Sequence, residues 1–351
     1  MFVNLTDSKY YAGVRGTGYY VPDRVVTNEE ITQYVDTTDE WIQKKIGIKE
    51  RRLASPEQKV SDLAYEAALM AIEDAEITPE EIDLIILGTL CPDHKDPATA
   101  CLVQSKLGAF NASAFDIGIG GCPGTVYSLN IASNFISNGA CKNVLVIGAH
   151  IAATTVIDWK DRTTCCFFGD GAGAVVLSRA KKSGIKGYNM FTDGRGYGCI
   201  IAPQTSGRNF PEGHIPWNEL KDDFRKKDEP FLYMDGKTVF EFATNAFPDS
   251  VKNVAEGLGI SLDDIDLIIP HQANVNIIIE GMKKLKLPME KAFVNIHKYG
   301  NTSAASVFIA LAEAVREGRI QTGDTVGLAS FGAGLAWGSI LIEWNSKKDF
   351  T

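Results

Sequence analysis

Three residues of this chain have chemistry that their sequence surroundings would sharpen: Cys122, His271 and Asn301. Cys122 lies in FDIGIGGCPGTVYSLNIA, where an apolar, strand-like run meets glycines, then Cys-Pro-Gly, then a helix-like pattern. Pro123 suits the first turn of a helix, where its missing N–H is no loss. The thiol then stands at a helix N-terminus, whose dipole and free N–H groups favour thiolate, so a lowered pKa is expected. Gly120 and Gly121 permit the tight turn that presents it. His271 directly follows the strand-like IDLIIP, in PHQAN. The carboxyl ends of strands are where open α/β sheets gather ligands. Asn301 sits in KYGNTSAASV, a Gly-Asn turn into small residues that open a helix. Taken singly, each has a plainer explanation: a small buried thiol, a structural histidine, a helix cap. Taken together, a thiol can carry an acyl group, and Asn, which cannot act as a base, can hold an enolate oxygen.

What could bring them together is an internal repeat. Residues 78–86 read TPEEIDLII and residues 261–269 read SLDDIDLII. Each is an acidic turn leading into an apolar strand of the kind buried on both faces. Downstream, YSLNIASNFISNGA precedes NVLVIGA in the first half, and SVFIALAEAVREGRI precedes TVGLASFG in the second. Both halves close on a Gly-rich turn into a strand, GDGAGAVVLS and FGAGLAWGSILIEW. The chain therefore reads as two tandem α/β units, 1–180 carrying the cysteine and 181–351 carrying the histidine and asparagine. Apolar runs alternating with amphipathic helices argue for sheets covered by helices. At the repeat offset, Cys122 falls opposite Ala305, so the two helix starts face each other as pseudo-symmetric partners. The polar, Gly/Pro-rich segment 192–230 is an insertion, either a lid or binding wall or a plain surface excursion.

Composition narrows the function class. The net charge is -9 with no Lys/Arg block, which argues against nucleic acid as partner. The apolar runs are strand-sized, far short of a membrane span. Seven scattered cysteines in a chain of 351 residues suggest free thiols in a reducing cytosol, and no Cys/His spacing suggests a metal site.

The motifs GTGYYVP, TTDEWI, GGC, FGDGAGA, PHQAN, GNTSAAS and FGAGLAWGS run in this order across almost the whole chain. In this they resemble the β-ketoacyl-acyl-carrier-protein synthase III family. The resemblance implies an α/β thiolase-like fold of two pseudo-symmetric halves in five layers, α-β-α-β-α. It implies an acyltransferase that loads an acyl-CoA primer on Cys122 and condenses it, with loss of CO₂, with a malonyl thioester on acyl-carrier protein or CoA. The implied oxyanion hole is the backbone N–H of Cys122 and of Ala333. His271 and Asn301 would hold the enolate. Trp41 and Arg162 would grip the CoA adenine, Asn274 would reach the pantetheine arm, and Lys283 and Lys284 would meet the carrier protein. A cytoplasmic homodimer in fatty acid or secondary-metabolite biosynthesis is implied, with CoA thioesters as substrates and no cofactor.

The sequence departs from that pattern in places. Asp96, in CPDHKDPATACLVQ, replaces a bulky apolar residue lining the partner's acyl pocket, and is the expected determinant of primer specificity. Asn276 stands for an arginine, and Pro123 and Thr125 follow the nucleophile where a small residue and an aromatic are usual. Segment 91–104 instead resembles specialised relatives such as alkylquinolone synthases. An acyltransferase on the same fold, moving an acyl group to an alcohol or amine, is the alternative reading.

Overall fold

The computed structural model describes residues 1–118, 121–182, 184–202 and 231–351. Two five-stranded sheets organise them. In the first, strand Leu84–Gly88 lies between Ser113–Ile117 and Asn143–His150, both parallel to it. Gly171–Ala180 and then Tyr11–Tyr20 extend the sheet antiparallel. In the second, Leu267–Pro270 runs parallel to Thr325–Gly332, followed antiparallel by Ala336–Glu343 and Ile185–Thr192. The two orders are thus the same from the strands of the repeated IDLII run outward. In both sheets these strands are wholly buried, which is why they read as unbroken apolar runs rather than alternating ones.

The sheets are not perfect copies. Strand Phe2–Asn4 crosses from the N-terminus to the outer edge of the second sheet, pairing with Ile185–Thr192. Where the first sheet has Ser113–Ile117, the second has an isolated bridge between Ile268 and Ala292. The first sheet is drawn from residues 11–180, but the second takes Phe2–Asn4 as well as residues from 185 onward. The repeat could not signal this exchange, because a three-residue edge strand has no periodicity to read.

Helices complete five layers, α-β-α-β-α. Val60–Asp74 covers the outer face of the first sheet and Gly236–Leu258 the outer face of the second. Between the sheets lie Gly124–Ser137 and Ser306–Arg316, each following a chemically marked turn. The central core joins residues of both halves, among them Leu129, Val146, Val307, Leu311 and Leu328. Ser306–Arg316 packs on strands of the first sheet, not only its own. Gly148 makes that crossing possible: a Cβ there would stand 2.3 Å from the Ala304 carbonyl oxygen. Burial of apolar surface on three fronts is what fixes the turns at the helix starts, and those turns carry the chemistry.

Candidate functional site

Cys122, His271, Asn301, Ser303, Gly332 and Ala333 line one cavity at the junction of the halves. Asn274 lies at its edge, and Phe167, Phe168, Met234 and Phe240 give it apolar walls. Of the expected insertion, residues 203–230 lie outside the described residues, but Ile200 on its flank lines the cavity.

Cys122 lies two residues before the start of helix Gly124–Ser137, with Pro123 at the N-cap position, one residue earlier than the first-turn position read from sequence. Gly120 lies outside the described residues. The turn is clamped from the opposite half. The Ser330 hydroxyl donates to the Cys122 carbonyl, and the Thr125 hydroxyl donates to the Ala304 carbonyl at 2.7 Å. Thr125, unusual for the pattern it resembles, thus ties the two helix starts together. Gly332 backs directly onto the nucleophile: a Cβ would meet Cys122 Cβ at 2.7 Å and Pro123 Cδ at 3.0 Å. Among the described residues, neither the Cys122 nor the Ala333 backbone N–H donates to a carbonyl or side-chain oxygen, which leaves two donors beside the sulfur.

The expected low thiol pKa is corrected by the structure. Although part of the Cys122 surface opens to the cavity, the surrounding walls exclude water, and that desolvation pushes the thiol pKa up. Hydrogen bonding from Ser303, whose Oγ is 3.6 Å from the sulfur, and from Asn301 opposes the rise without cancelling it. The helix terminus was legible in the sequence, but the dryness of the pocket was not.

His271 is buried at the end of strand Leu267–Pro270. Burial, with His150 as a lesser cause, lowers its pKa to about 3, so the ring is neutral. Its Nδ1 lies 2.5 Å from Ser306 Oγ, and the Gln272 N–H points at the same oxygen from 3.4 Å. We assign the tautomer in which the Ser306 hydroxyl donates to Nδ1 and the ring proton stands on Nε2. Among the described residues, Nε2 is buried without a hydrogen-bond partner. Phe331 holds the ring edge-on, 5.3 Å between centroids.

Asn301 is positioned by its backbone as well as its side chain. Its N–H donates to the Phe167 carbonyl at 2.8 Å, and its carbonyl accepts from Gly169 N–H at 3.1 Å. The side-chain Oδ1 accepts from Ser303 N–H at 2.8 Å, which leaves the NH₂ to the Cys122 sulfur. Ser303 itself is left-handed, with φ 51°, a conformation held by the packed turn around it. The cavity therefore presents a thiol, two backbone donors and two neutral side-chain donors among apolar walls. That set can hold a covalent acyl group and stabilise an oxyanion or enolate.

The outlying residues fall less uniformly. The Arg162 guanidinium covers the Trp41 ring at 4.8 Å and donates to the Asp36 carbonyl. A flat base enters between them only if Arg162 swings aside. Asn274 lines the cavity, but its side chain also caps helix Val275–Leu285 and donates to the Lys45 carbonyl. Asn276 donates to the Lys44 and Lys45 carbonyls, so it braces the helix that carries Trp41. Lys283 is exposed, whereas Lys284 is drawn to Asn245 Oδ1 at 2.6 Å. Asp96 is exposed and does not line the Cys122 cavity of its own chain. Among the described residues no group of three His, Cys, Asp or Glu could hold a metal ion, and no helix is long and apolar enough to cross a membrane.

Sequence reasoning missed Ser303, Ser306, Phe167 and His150. The two serines stand in the quoted GNTSAAS, where small hydroxyls beside Asn301 were the available signal. His150 is fully buried, its Nε2 unpartnered among the described residues and its Nδ1 4.0 Å from Cys91 Sγ, and nothing local in sequence marks it.

Known proteins resemble the chain throughout. Residues 115–194 match the family described as 3-oxoacyl-[acyl-carrier-protein] synthase III, and residues 255–344 match its C-terminal part. The β-ketoacyl-[acyl-carrier-protein] synthase III of Caldanaerobacter subterraneus is 46% identical over 96% of this chain and 99% of its own. That of Clostridium acetobutylicum is 44% identical over 94% and 97%. The crystal structure of 3-oxoacyl-[acyl-carrier-protein] synthase III from Aquifex aeolicus superposes with a TM-score of 0.85 at 42% identity, covering 95% of this chain and all of that one. The chain belongs to the 3-oxoacyl-[acyl-carrier-protein] synthase III family of condensing enzymes.

Proposed function

We propose that this acyltransferase condenses an acyl primer with a malonyl thioester, releasing CO₂ and forming a 3-oxoacyl thioester. The observation that carries this reading is one cavity lined by Cys122, His271 and Asn301, in which His271 Nε2 is buried and has no hydrogen-bond partner among the described residues. In the first half-reaction the Cys122 sulfur attacks the acyl-CoA carbonyl and gives up its proton, the bond between the carbonyl carbon and the CoA sulfur breaks, and CoA leaves as its thiol with that proton. The oxyanion is held by the Cys122 and Ala333 N–H groups. The malonyl thioester then enters, and the bond to its carboxylate breaks. The electron pair passes to the thioester oxygen, where His271 Nε2–H and Asn301 NH₂ hold it as an enolate. The carbanion attacks the acyl-cysteine, and Cys122 leaves as thiolate. A neutral histidine is what this task needs, since it donates a hydrogen bond without a proton to lose at working pH.

No cofactor enters the scheme. Malonyl-acyl-carrier protein is the extender assigned here, with the exposed Lys283 and Lys284 as the cations for the acidic carrier. Trp41 and Arg162 take the CoA adenine and Asn274 the pantetheine amide. A cytoplasmic homodimer, in which Asp96 of each protomer lines the other's primer pocket, accounts for a carboxylate exposed in the single chain. The experiment is to supply acyl-CoA and malonyl-acyl-carrier protein labelled in its free carboxylate. Label should leave as CO₂ while a 3-oxoacyl product accumulates. Acyl transfer to alcohols or amines without CO₂ release would establish the alternative instead.

A further inference from the structure

The segment between Arg162 and Asp170 carries two adjacent cysteines that the reaction above does not use. Cys165 and Cys166 are buried, their sulfurs 4.0 Å apart. Beside them lies the fully buried Arg51, which donates to the Cys166 carbonyl at 3.0 Å and to the Val26 carbonyl at 3.2 Å, while its Nε has no partner among the described residues. Burial pushes the Arg51 pKa down to about 10, and the nearby Cys166 and Cys165 sulfurs, then Glu30 and Glu50, oppose that fall. The buried Thr37 hydroxyl lies beside Cys166. A buried cation with an unused donor next to two thiols fits a site where one of them becomes a thiolate.

We infer that Cys165 and Cys166 form a redox-active dithiol, oxidised by peroxides to a vicinal disulfide that displaces Asn301. Cys166 is the attacking thiol. Sharing a proton with Cys165 and facing Arg51 lowers its pKa, and the same sharing pushes Cys165 up. The Cys166 thiolate takes the terminal oxygen of hydrogen peroxide, giving a sulfenic acid and, after protonation, water. The Cys165 thiol then attacks the sulfenic sulfur, the S–S bond forms and a second water leaves. Two thiols are oxidised by two electrons and one peroxide is reduced, so no further reactant is required.

The consequence follows from the next three residues. Phe167 and Gly169 hold both backbone groups of Asn301, and Phe168 bridges to it directly. There is little slack in this contact: a Cβ on Gly169 would stand 2.2 Å from the Tyr299 carbonyl oxygen, and one on Gly300 would stand 2.7 Å from that of Phe167. Closing the sulfurs from 4.0 Å to about 2 Å rotates the 165–166 peptide and shifts Phe167, and with it Asn301. This consequence rests on the enolate role of Asn301 given above, whereas formation of the disulfide does not.

Trypsin isolates both thiols on one peptide, residues 163–179, which contains no other cysteine. After brief treatment of the whole protein with hydrogen peroxide, this peptide should be two hydrogens lighter. It should resist iodoacetamide until dithiothreitol restores two reactive thiols. Over the same interval, CO₂ release should fall by about tenfold or more and recover with dithiothreitol, as expected for an ångström-scale displacement of a donor. The Cys165→Ala variant, which keeps Cys122, should hold its CO₂ release under peroxide. A peptide that keeps both thiols, or reaches sulfinic acid without an S–S bond, overturns the proposal, and this reading needs no variant to fold. Disulfide formation with unchanged CO₂ release, or the same loss in Cys165→Ala, overturns the link to Asn301. Absence of CO₂ release from the reduced enzyme would instead refute the functional reading.

Discussion

Replacing Ser306 with alanine tests the reasoning about His271 at a residue that touches no substrate. Ser306 is buried, and its hydroxyl is the partner of His271 Nδ1 at 2.5 Å. Removing it leaves Nδ1 without a partner and lets the ring carry its proton on either nitrogen. A buried neutral hydrogen bond is worth about 0.5–1.5 kcal/mol net, and this short one belongs at the upper end. A loss of about 1.4 kcal/mol is about a tenfold fall in rate. The fall should appear in CO₂ release from the malonyl thioester, while acyl loading of Cys122, which uses backbone donors, stays near that of the unaltered protein. His271→Ala sets the outer limit, since removing an oxyanion donor altogether costs about 2.7–4 kcal/mol. Loading would be followed by mass spectrometry and CO₂ release by radiolabel, with thermal unfolding to verify that the fold is retained. Unchanged CO₂ release in Ser306→Ala, or equal losses in both half-reactions, would refute the assigned tautomer.

Gly332→Ala should cut acyl loading by about a hundredfold, because its Cβ would displace Cys122 by a good part of an ångström; normal loading kinetics would show that the turn yields freely. Arg162→Ala should raise KM for acyl-CoA and leave kcat near its original value, since the residue is assigned only to CoA binding; a fall in kcat alone would remove it from that role. Stability should decline on acidification. His150 and His271 are held to about 3 when folded. The unfolded chain takes up protons below its ordinary value of about 6.5, so stability is full above that pH and drains as pH falls toward 3. At pH 5 each histidine costs about 2 kcal/mol on that basis, and His150→Gln should recover about that amount in denaturant unfolding. No recovery would mean that His150 is solvated.

Much of the site was legible because the repeat and the turns are local features. The twin IDLII runs mark corresponding strands, and the Gly-Cys-Pro-Gly and Gly-Asn-Thr-Ser turns mark the helix starts that meet between the sheets. What stayed hidden depends on distance in sequence. Ser306 acts on His271 from 35 positions away, and its place in a run of small residues looked like helix packing. The rise in the Cys122 pKa comes from walls contributed by both halves, which a helix-dipole argument from one segment cannot include. Asn274 reads from its motif as a contact for the pantetheine arm, and its amide also braces the Trp41 helix through Lys45. The transfer of Phe2–Asn4 to the second sheet left no trace in the repeat, because the strand is short and lies outside it.

The central claim is that one cysteine carries the acyl group while His271 and Asn301 serve the other half-reaction. The direct measurement is the peptide mass of the protein after incubation with acyl-CoA, set beside CO₂ release, in the unaltered protein and in Cys122→Ala. The account predicts an acyl adduct on the peptide containing Cys122, none in the variant, and continued CO₂ release from malonyl thioester by the variant. An adduct on another residue, or covalent loading that persists in Cys122→Ala, would contradict it.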